Sequence, residues 1–162
     1  MSIISSTTKS YIAGFLDGDG CIMFQLIYRE DYKYGYQIRA SIVFYQKTNP
    51  SNLKHLQWLQ KVFSVGYIRH RNDDMTEYTI VGIEPVVKIL KLLKPYIKLK
   101  KQHINAALEI QSLLKNKTLA RFIKAAELTD KFADFNYSKR RTNTSASLKN
   151  YLRRHKLYPR ND

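Results

Sequence analysis

The chain has 162 residues, 44% of them hydrophobic and 25% charged, which suits one domain-sized soluble body with a real core. Twenty-eight Lys and Arg against 13 Asp and Glu leave a net charge of +15, a surplus that an extended polyanion relieves best. A single cysteine, Cys21, excludes an internal disulfide framework, and no apolar run reaches the ~18 residues of a membrane span. The first residues, "MSIISSTTKSYIAGF", lack the apolar region and basic start of a secretion signal and the arginines of a transit peptide.

In chain order, Ser5, Ser6, Thr7 and Thr8 are N-cap candidates for a helix in which Tyr11, Ile12, Phe15 and Leu16 recur at helical spacing. Ala13, Gly14 and Gly18 give it a smooth side where another backbone can approach closely. Gly18 and Gly20 end it. Residues 20–28, "GCIMFQLIY", read as a strand, and 36–46, "YQIRASIVFYQ", as a second, joined by a polar loop through Gly35. "TNPSN" breaks the pattern at 48–52. Leu53, Leu56, Leu59, Val62 and Phe63 then define an amphipathic helix. "GYIRHR" at 66–71 and "EYTIVG" at 77–82 are short strands around a polar turn at 72–76. Pro85 is tolerated in the first turn of the next helix, and Pro95 stops it. A Lys-rich link at 98–101 leads to "QHINAALEIQSLL", and a further helix covers roughly 118–135. From 139 the character changes: eight basic residues face one acidic residue.

The order α-β-β-α-β-β-α predicts an α+β fold: a four-stranded antiparallel sheet with helices on one face, and further C-terminal helices. The division expected is 1–138 as the core domain and 139–162 as a basic extension packed on the core or contacting nucleic acid. Alternation assigns the sheet's free face. It takes Cys21, Met23, Gln25 and Ile27 from the first strand, and Gln37, Arg39, Ser41, Val43 and Tyr45 from the second. Tyr67, Arg69 and Arg71 come from the third, and Glu77, Thr79 and Val81 from the fourth. Gln, Arg, Ser, Thr and Glu are the side chains that hydrogen-bond base edges in the major groove, which a β-ribbon can enter. Arg29 and Tyr32 in the first loop, with Lys139, Arg140 and Arg141 after the last strand-bearing segment, extend this candidate DNA-binding surface.

Residues 13–20, "AGFLDGDG", present a separate problem. A helix C-terminus carries a partial negative charge and unpaired carbonyls, so two carboxylates there, Asp17 and Asp19, are unfavourable unless a cation arrives. Asp19 and the Gly18 carbonyl are hard oxygen donors suited to Mg²⁺. The four letters "DGDG" at 17–20, taken alone, read better as a helix stop and a tight turn.

The longer stretch "IAGFLDGDG", 12–20, resembles the signature of the LAGLIDADG homing endonucleases, with Ala13, Gly14, Asp17, Asp19 and Gly20 on the same letters. The element order matches that family's, and "GYIRHR", "KPYIKLKKQ" and "NYSKRRTNTS" extend the likeness over roughly 5–145. The resemblance implies a site-specific, intron-encoded endonuclease acting as a homodimer, since a second motif is absent. Two motif helices would pack through Ala13, Gly14, Asp17 and Gly18. Each would deliver one Asp19 to a divalent metal, Mg²⁺ with Mn²⁺ or Ca²⁺ substituting in binding. One phosphodiester in each strand of a pseudo-palindromic duplex would be hydrolysed, leaving short 3′ overhangs. Gln46 matches the polar residue that closes the second strand, and Lys100 the lysine after the helix ending at Pro95, with Lys98 its rival. A third, basic position has no clean counterpart; Asn52 or Lys54 stands in. Asp17 is implied to be structural, accepting hydrogen bonds near the partner's helix. His55, His70, His103 and His155 are too scattered to be ligands.

The resemblance also implies an intracellular site of action, in a mitochondrion, a chloroplast or the nucleus, and no membrane partner. Two other readings stand beside it. One is a maturase that binds host intron RNA, with or without nuclease activity; the other is a basic, ribosome-associated structural protein. Neither requires Asp19.

Overall fold

The computed structural model describes residues 4–138 and 141–158. Its elements run α1 (Ser6–Asp19), β1 (Gly20–Tyr28), β2 (Tyr36–Lys47), α2 (Pro50–Phe63), β3 (Tyr67–His70), β4 (Met75–Val81) and α3 (Ile83–Leu93). A 3₁₀ turn (Lys94–Tyr96) precedes α4 (Lys101–Lys115), α5 (Leu119–Phe135) and α6 (Ser145–Arg154). The four strands form one sheet in the order β1-β2-β4-β3. Both β2–β4 and β3–β4 are antiparallel, with Tyr45 opposite Glu77 and Glu77 opposite Arg69. Contacts divide the chain into two compact units. The first holds the residues up to Ile22 and Ala40–Ile104; the second holds Met23–Arg39 and everything from Asn105 on.

In the first unit, the caps expected from sequence form where the side chains demand them. Ser5 caps α1 by accepting from the Thr8 amide, and Asn49 caps α2 by accepting from the Asn52 amide, with Pro50 in the first turn. The core gathers Ile12 and Leu16 of α1, Ile42 and Phe44 of β2, Leu56 and Leu59 of α2, Tyr78 and Ile80 of β4 and Leu90 and Leu93 of α3, all within 1% of full burial. Each such side chain removes apolar surface worth about 1.5–3 kcal/mol. Phe15 stacks on Phe44 at 5.3 Å, and Phe44 on Tyr78 at 6.1 Å. The buried Tyr78 hydroxyl donates to the Val65 carbonyl at 2.6 Å, and its loss of water pushes its pKa up. Two departures from the sequence reading follow from backbone pairing. β4 begins at Met75, two residues early, because His70 and Thr76 already pair across the turn. Asn49 and Pro50 start α2 three residues before Leu53.

In the second unit, β1 and α5 meet through Phe24 and Phe132, centroids 5.0 Å apart. Ala125 and Ala126 are fully buried on the same helix, small enough to let a neighbour approach. α6 packs on α5 through Leu148 and Leu152, both fully buried. Thr144 and Ser147 form a reciprocal capping box at its start. Asp130 of α5 accepts from the Ser145 amide at 3.1 Å and from its hydroxyl at 2.5 Å. A carboxylate there also meets the positive end of the helix dipole. α6 therefore occupies the described part of the segment expected to form a basic extension.

Candidate functional site

α1 passes into β1 with no loop: Asp19 is the last helical residue and Gly20 the first of the strand. The Gly20 amide donates back to the Leu16 carbonyl, closing the helix. A Cβ on Gly20 would lie 2.6 Å from Leu16 Cδ1 and 2.8 Å from Leu16 Cα, so only glycine allows the chain to turn this sharply. The turn leaves Asp17 and Asp19 on opposite sides of the helix end.

Asp17 points inward and is 9% exposed. Its Oδ2 accepts from the Lys98 and Leu99 amides at 2.7 and 3.1 Å, and its Oδ1 from the Lys100 amide at 3.1 Å. These donors belong to its own chain, and the side chain turns inward, so little of it is left for the expected face toward a partner helix. The carboxylate instead ties the segment after the 3₁₀ turn to the end of α1. Lys100 then reaches back: its Nζ donates to the Asp17 carbonyl at 2.6 Å. An ammonium at a helix C-terminus offsets the dipole's negative end. This decides between the two lysines, because Lys98 is exposed while Lys100 is held against the motif turn.

Asp19 points outward. Its Oδ2 accepts from Gln46 Nε2 at 3.3 Å, which brings the end of β2 to the end of α1 as expected. Asp19, Gln46 and Lys100 are thus assembled from positions 27 and 54 residues apart along the chain. Asn52 is not available to them: its Nδ2 donates to the Lys47 carbonyl at 2.9 Å and its amide to Asn49. Of the two stand-ins for the third basic position, Asn52 is spent on holding α2 to β2, and Lys54 is exposed.

The groups at this end of the helix that could hold a divalent cation are few. The donors are the exposed Asp19 carboxylate and the Gly18 carbonyl beside it, both hard oxygens. Among the described residues no three His, Cys, Asp or Glu side chains cluster to hold a metal alone. The remaining ligands must come from water, a substrate oxygen or another chain.

Of the four small or acidic residues expected on the helix-crossing face, Ala13 is fully buried in its own protomer, a correction, and Asp17 turns inward. Periodicity alone put Ala13 beside Gly14, but the 100° step between neighbours sends it to the core. Gly14 and Gly18 are exposed, and a Cβ on either would meet nothing within 4 Å. Tyr11, 53% exposed, continues their stripe, a residue the sequence reading left out. Its hydroxyl lies 2.9 Å from His55 Nε2, and His55 stacks on Trp58 of α2 at 5.6 Å. His55 is therefore part of an aromatic cluster, and burial holds its pKa below the ordinary value.

On the open face of the sheet, Gln37, Arg39, Tyr67, Arg69 and Arg71 are exposed, as alternation requires, and Gln25 is half-buried. Ser41, Val43, Glu77 and Thr79 differ: each is buried, Ser41 and Val43 on β2 and Glu77 and Thr79 on β4, the two inner strands of the sheet. Glu77 is held by Arg69 Nη2 at 2.7 Å and by Arg71 Nη1 at 3.7 Å. Arg71 also pairs with Asp73 at 2.8 Å and sits over the Tyr45 ring. In the first loop Arg29 forms a two-bond pair with Asp31 and covers the Tyr32 ring at 5.1 Å. Acidic partners thus orient three of the candidate reading arginines.

Arg141 is the larger correction. Its Nη1 donates to the Phe24 carbonyl at 3.1 Å and to the Thr129 carbonyl at 2.7 Å, joining β1 to α5. It is a structural clamp, not a free basic group. Lys139 and Arg140 lie outside the described residues.

A family model described as LAGLIDADG endonuclease matches residues 12–106. The chain is 35% identical over 146 residues to DNA endonuclease I-CvuI of Chlorella vulgaris, covering 90% of this chain and 89% of that one. It is 32% identical over 144 residues to DNA endonuclease I-CreI of Chlamydomonas reinhardtii, covering 88% and 86%. The crystal structure of I-CvuI with its target in the presence of calcium superposes with a TM-score of 0.88 at 33% identity, over 94% of this chain and 97% of the other.

Proposed function

We infer that this chain, which belongs to the LAGLIDADG endonuclease family, is a DNA endonuclease that cuts within one long duplex target, using divalent metal and acting as a homodimer. The observation that carries the reading is the end of α1: an exposed Asp19 carboxylate, oriented by Gln46, with the Lys100 ammonium against the same turn. Lys100 offsets the helix dipole, but an exposed carboxylate kept at the same helix C-terminus is not explained by packing. Together the two suit a site where a phosphate and a cation meet.

A divalent cation bound there, Mg²⁺ in the reading offered, supplies Lewis-acid polarisation of the phosphate and a lowered pKa for attacking water. The chain's own residues do the rest. Asp19 anchors the cation side of the site, and the Gln46 amide fixes which of its rotamers faces outward. Lys100 sets positive charge beside the developing phosphorane charge without leaving the helix end, so its reorganisation cost is small. Glycines at 14 and 18 leave the outer side of α1 bare, so that a second α1 can approach and place its own Asp19 close by. Two such centres would cut one bond per strand and leave short 3′ overhangs. The open face of the sheet lies along the major groove, with Gln37, Arg39, Tyr67, Arg69 and Arg71 outermost. Lys139 and Arg140 are assigned to the flanking phosphates.

Replacement of Asp19→Asn tests the reading. It removes a metal ligand and leaves the positive surface intact. Strand cutting should fall below detection while a band-shift titration in Ca²⁺ stays within a few-fold of the parent. A variant that cuts at the parent's rate contradicts the assignment.

A further inference from the structure

The second unit holds a cavity of about 420 Å³ whose walls include Tyr28, Tyr36, Asn150, Tyr151, Arg154 and His155. Tyr28 ends β1 and Tyr36 begins β2. Both share the strand parity of the buried Phe24 and Ile38, so they stand on the helix-bearing side, opposite Gln25, Gln37 and Arg39. The cavity is therefore not part of the groove-facing surface.

Three tyrosine rings meet here, with centroids 5.2 Å apart for Tyr28 and Tyr36, and 5.9 Å from each to Tyr151. Tyr151 is locked. Its ring lies against Gly35, whose φ is +68° and whose missing Cβ would fall 2.4 Å from Tyr151 Cζ. His155 stacks on it at 4.0 Å. Tyr36 is buried, yet Tyr28 keeps 42% of its surface open at a register where the strand is otherwise covered. An open ring on a rigid aromatic wall, with an amide (Asn150) and an exposed guanidinium (Arg154) at its rim, is a set of groups with one natural ligand. The ring offers a π-face, the amide reads a base edge and the guanidinium takes a phosphate. An organic cation would also suit the tyrosines, and the Tyr28 hydroxyl donates to Glu30 Oε1 at 3.5 Å, but that carboxylate lies outside the cavity wall, where Arg154 supplies the charge and repels a cation. The volume accommodates a single nucleotide. A paired base has both faces occupied by its own stack, so only an unpaired one can enter.

We propose that this cavity is a stacking pocket for an unpaired nucleotide of single-stranded nucleic acid, separate from the surface that holds duplex DNA. RNA and DNA strands share the required chemistry. The full-length chain is titrated with fluorescently labelled single strands of about eight nucleotides, one RNA and one DNA, at several salt concentrations. Tyr28→Leu should weaken binding of at least one of them about tenfold with an unchanged salt dependence, because stacking is not ionic. Tyr28→Phe should bind as the parent does. Arg154→Gln should make the salt slope shallower by about 0.7. Loss in the RNA arm alone identifies RNA as the source, loss in the DNA arm alone identifies DNA, and loss in both means either strand is taken. Thermal midpoint and duplex cutting by Tyr28→Leu should match the parent, which separates this site from the nuclease centre. Tyr28→Leu binding both strands as tightly as the parent overturns the proposal. So does an equal loss in Tyr28→Phe, or a loss of duplex cutting as large as the loss of strand binding.

Discussion

At the residue scale, the clearest division of labour is between two carboxylates two residues apart, Asp17 and Asp19. Asp17 spends its oxygens on three amides of 98–100, and Asp19 keeps one side free. Glu77 shows the same economy on the sheet. It is 5% exposed, and its two arginine partners lie at the surface. The contribution of such a pair to stability is modest, about 1 kcal/mol, because the arginines remain in water. Its larger effect is to aim them. Glu77→Gln should therefore leave the fold intact and relax base preference at the pairs read by Arg69 and Arg71. Preference at the pair read by Arg39, two strands away from β3 in the sheet order, should not move. A selection from randomised duplexes with this variant measures both, and an unchanged profile at the Arg69 and Arg71 positions contradicts the role given to Glu77.

At the element scale, α1 carries two surfaces that sequence periodicity could not separate fully. Ile12 and Leu16 were legible as core, and the glycines as a smooth side. Ala13 was misassigned because a small residue is compatible with either burial or a close helix crossing, and only the position of α3 and the sheet decides. Gly14 and Gly18 remain bare. Gly14→Leu should fold, since a Cβ there meets nothing within 4 Å and the site is exposed, but it should keep a second α1 at a distance. Sedimentation should find a monomer with the parent's thermal midpoint lowered only by what the dimer contributes, and cutting should be lost. A stable, active dimer contradicts a crossing at this position. Strands β1 and β2 were readable almost to the residue, because alternation is strong where one face is buried. Alternation gives the parity of the free face but not the exposure of Ser41, Val43, Glu77 and Thr79, because burial on a sheet depends on which strand is central, and strand order is not written in the alternation. α6 was obscured by its own basic residues. Its signals were the Thr144 cap and Leu148, Tyr151 and Leu152 at helical spacing. Arg141 cannot be told from the other basic residues of the candidate DNA-binding surface by sequence, because charge runs in a basic tail look alike until the carbonyls of Phe24 and Thr129 are placed beside one of them.

At the scale of the whole molecule, the family likeness links Asp19 to Gln46 and Lys100 from sequence, because it covers residues that lie far apart in the chain. The third basic position stayed open for the same reason: 48–54 departs from the family pattern, and Asn52 proves to be tied to the Lys47 carbonyl. β2 has 12 residues and at ~3.3 Å each follows about 40 Å of groove, or about ten to twelve base pairs. Two protomers related by a two-fold axis would then cover about 20 base pairs, with the same side chains reading mirrored positions. The central pairs lie over the two helix ends, where few side chains reach bases, so preference there comes from deformability. The most direct test is to incubate the purified chain with a randomised duplex library and Mg²⁺, sequence the cut ends, and footprint the selected duplex. The expected result is a protected stretch of about 20 base pairs with partly mirrored halves, cut once in each strand near its centre to leave 3′ overhangs. A footprint of one half-site, or a cut target whose halves show no mirror relation, would contradict the homodimer and the paired Asp19 centres with it.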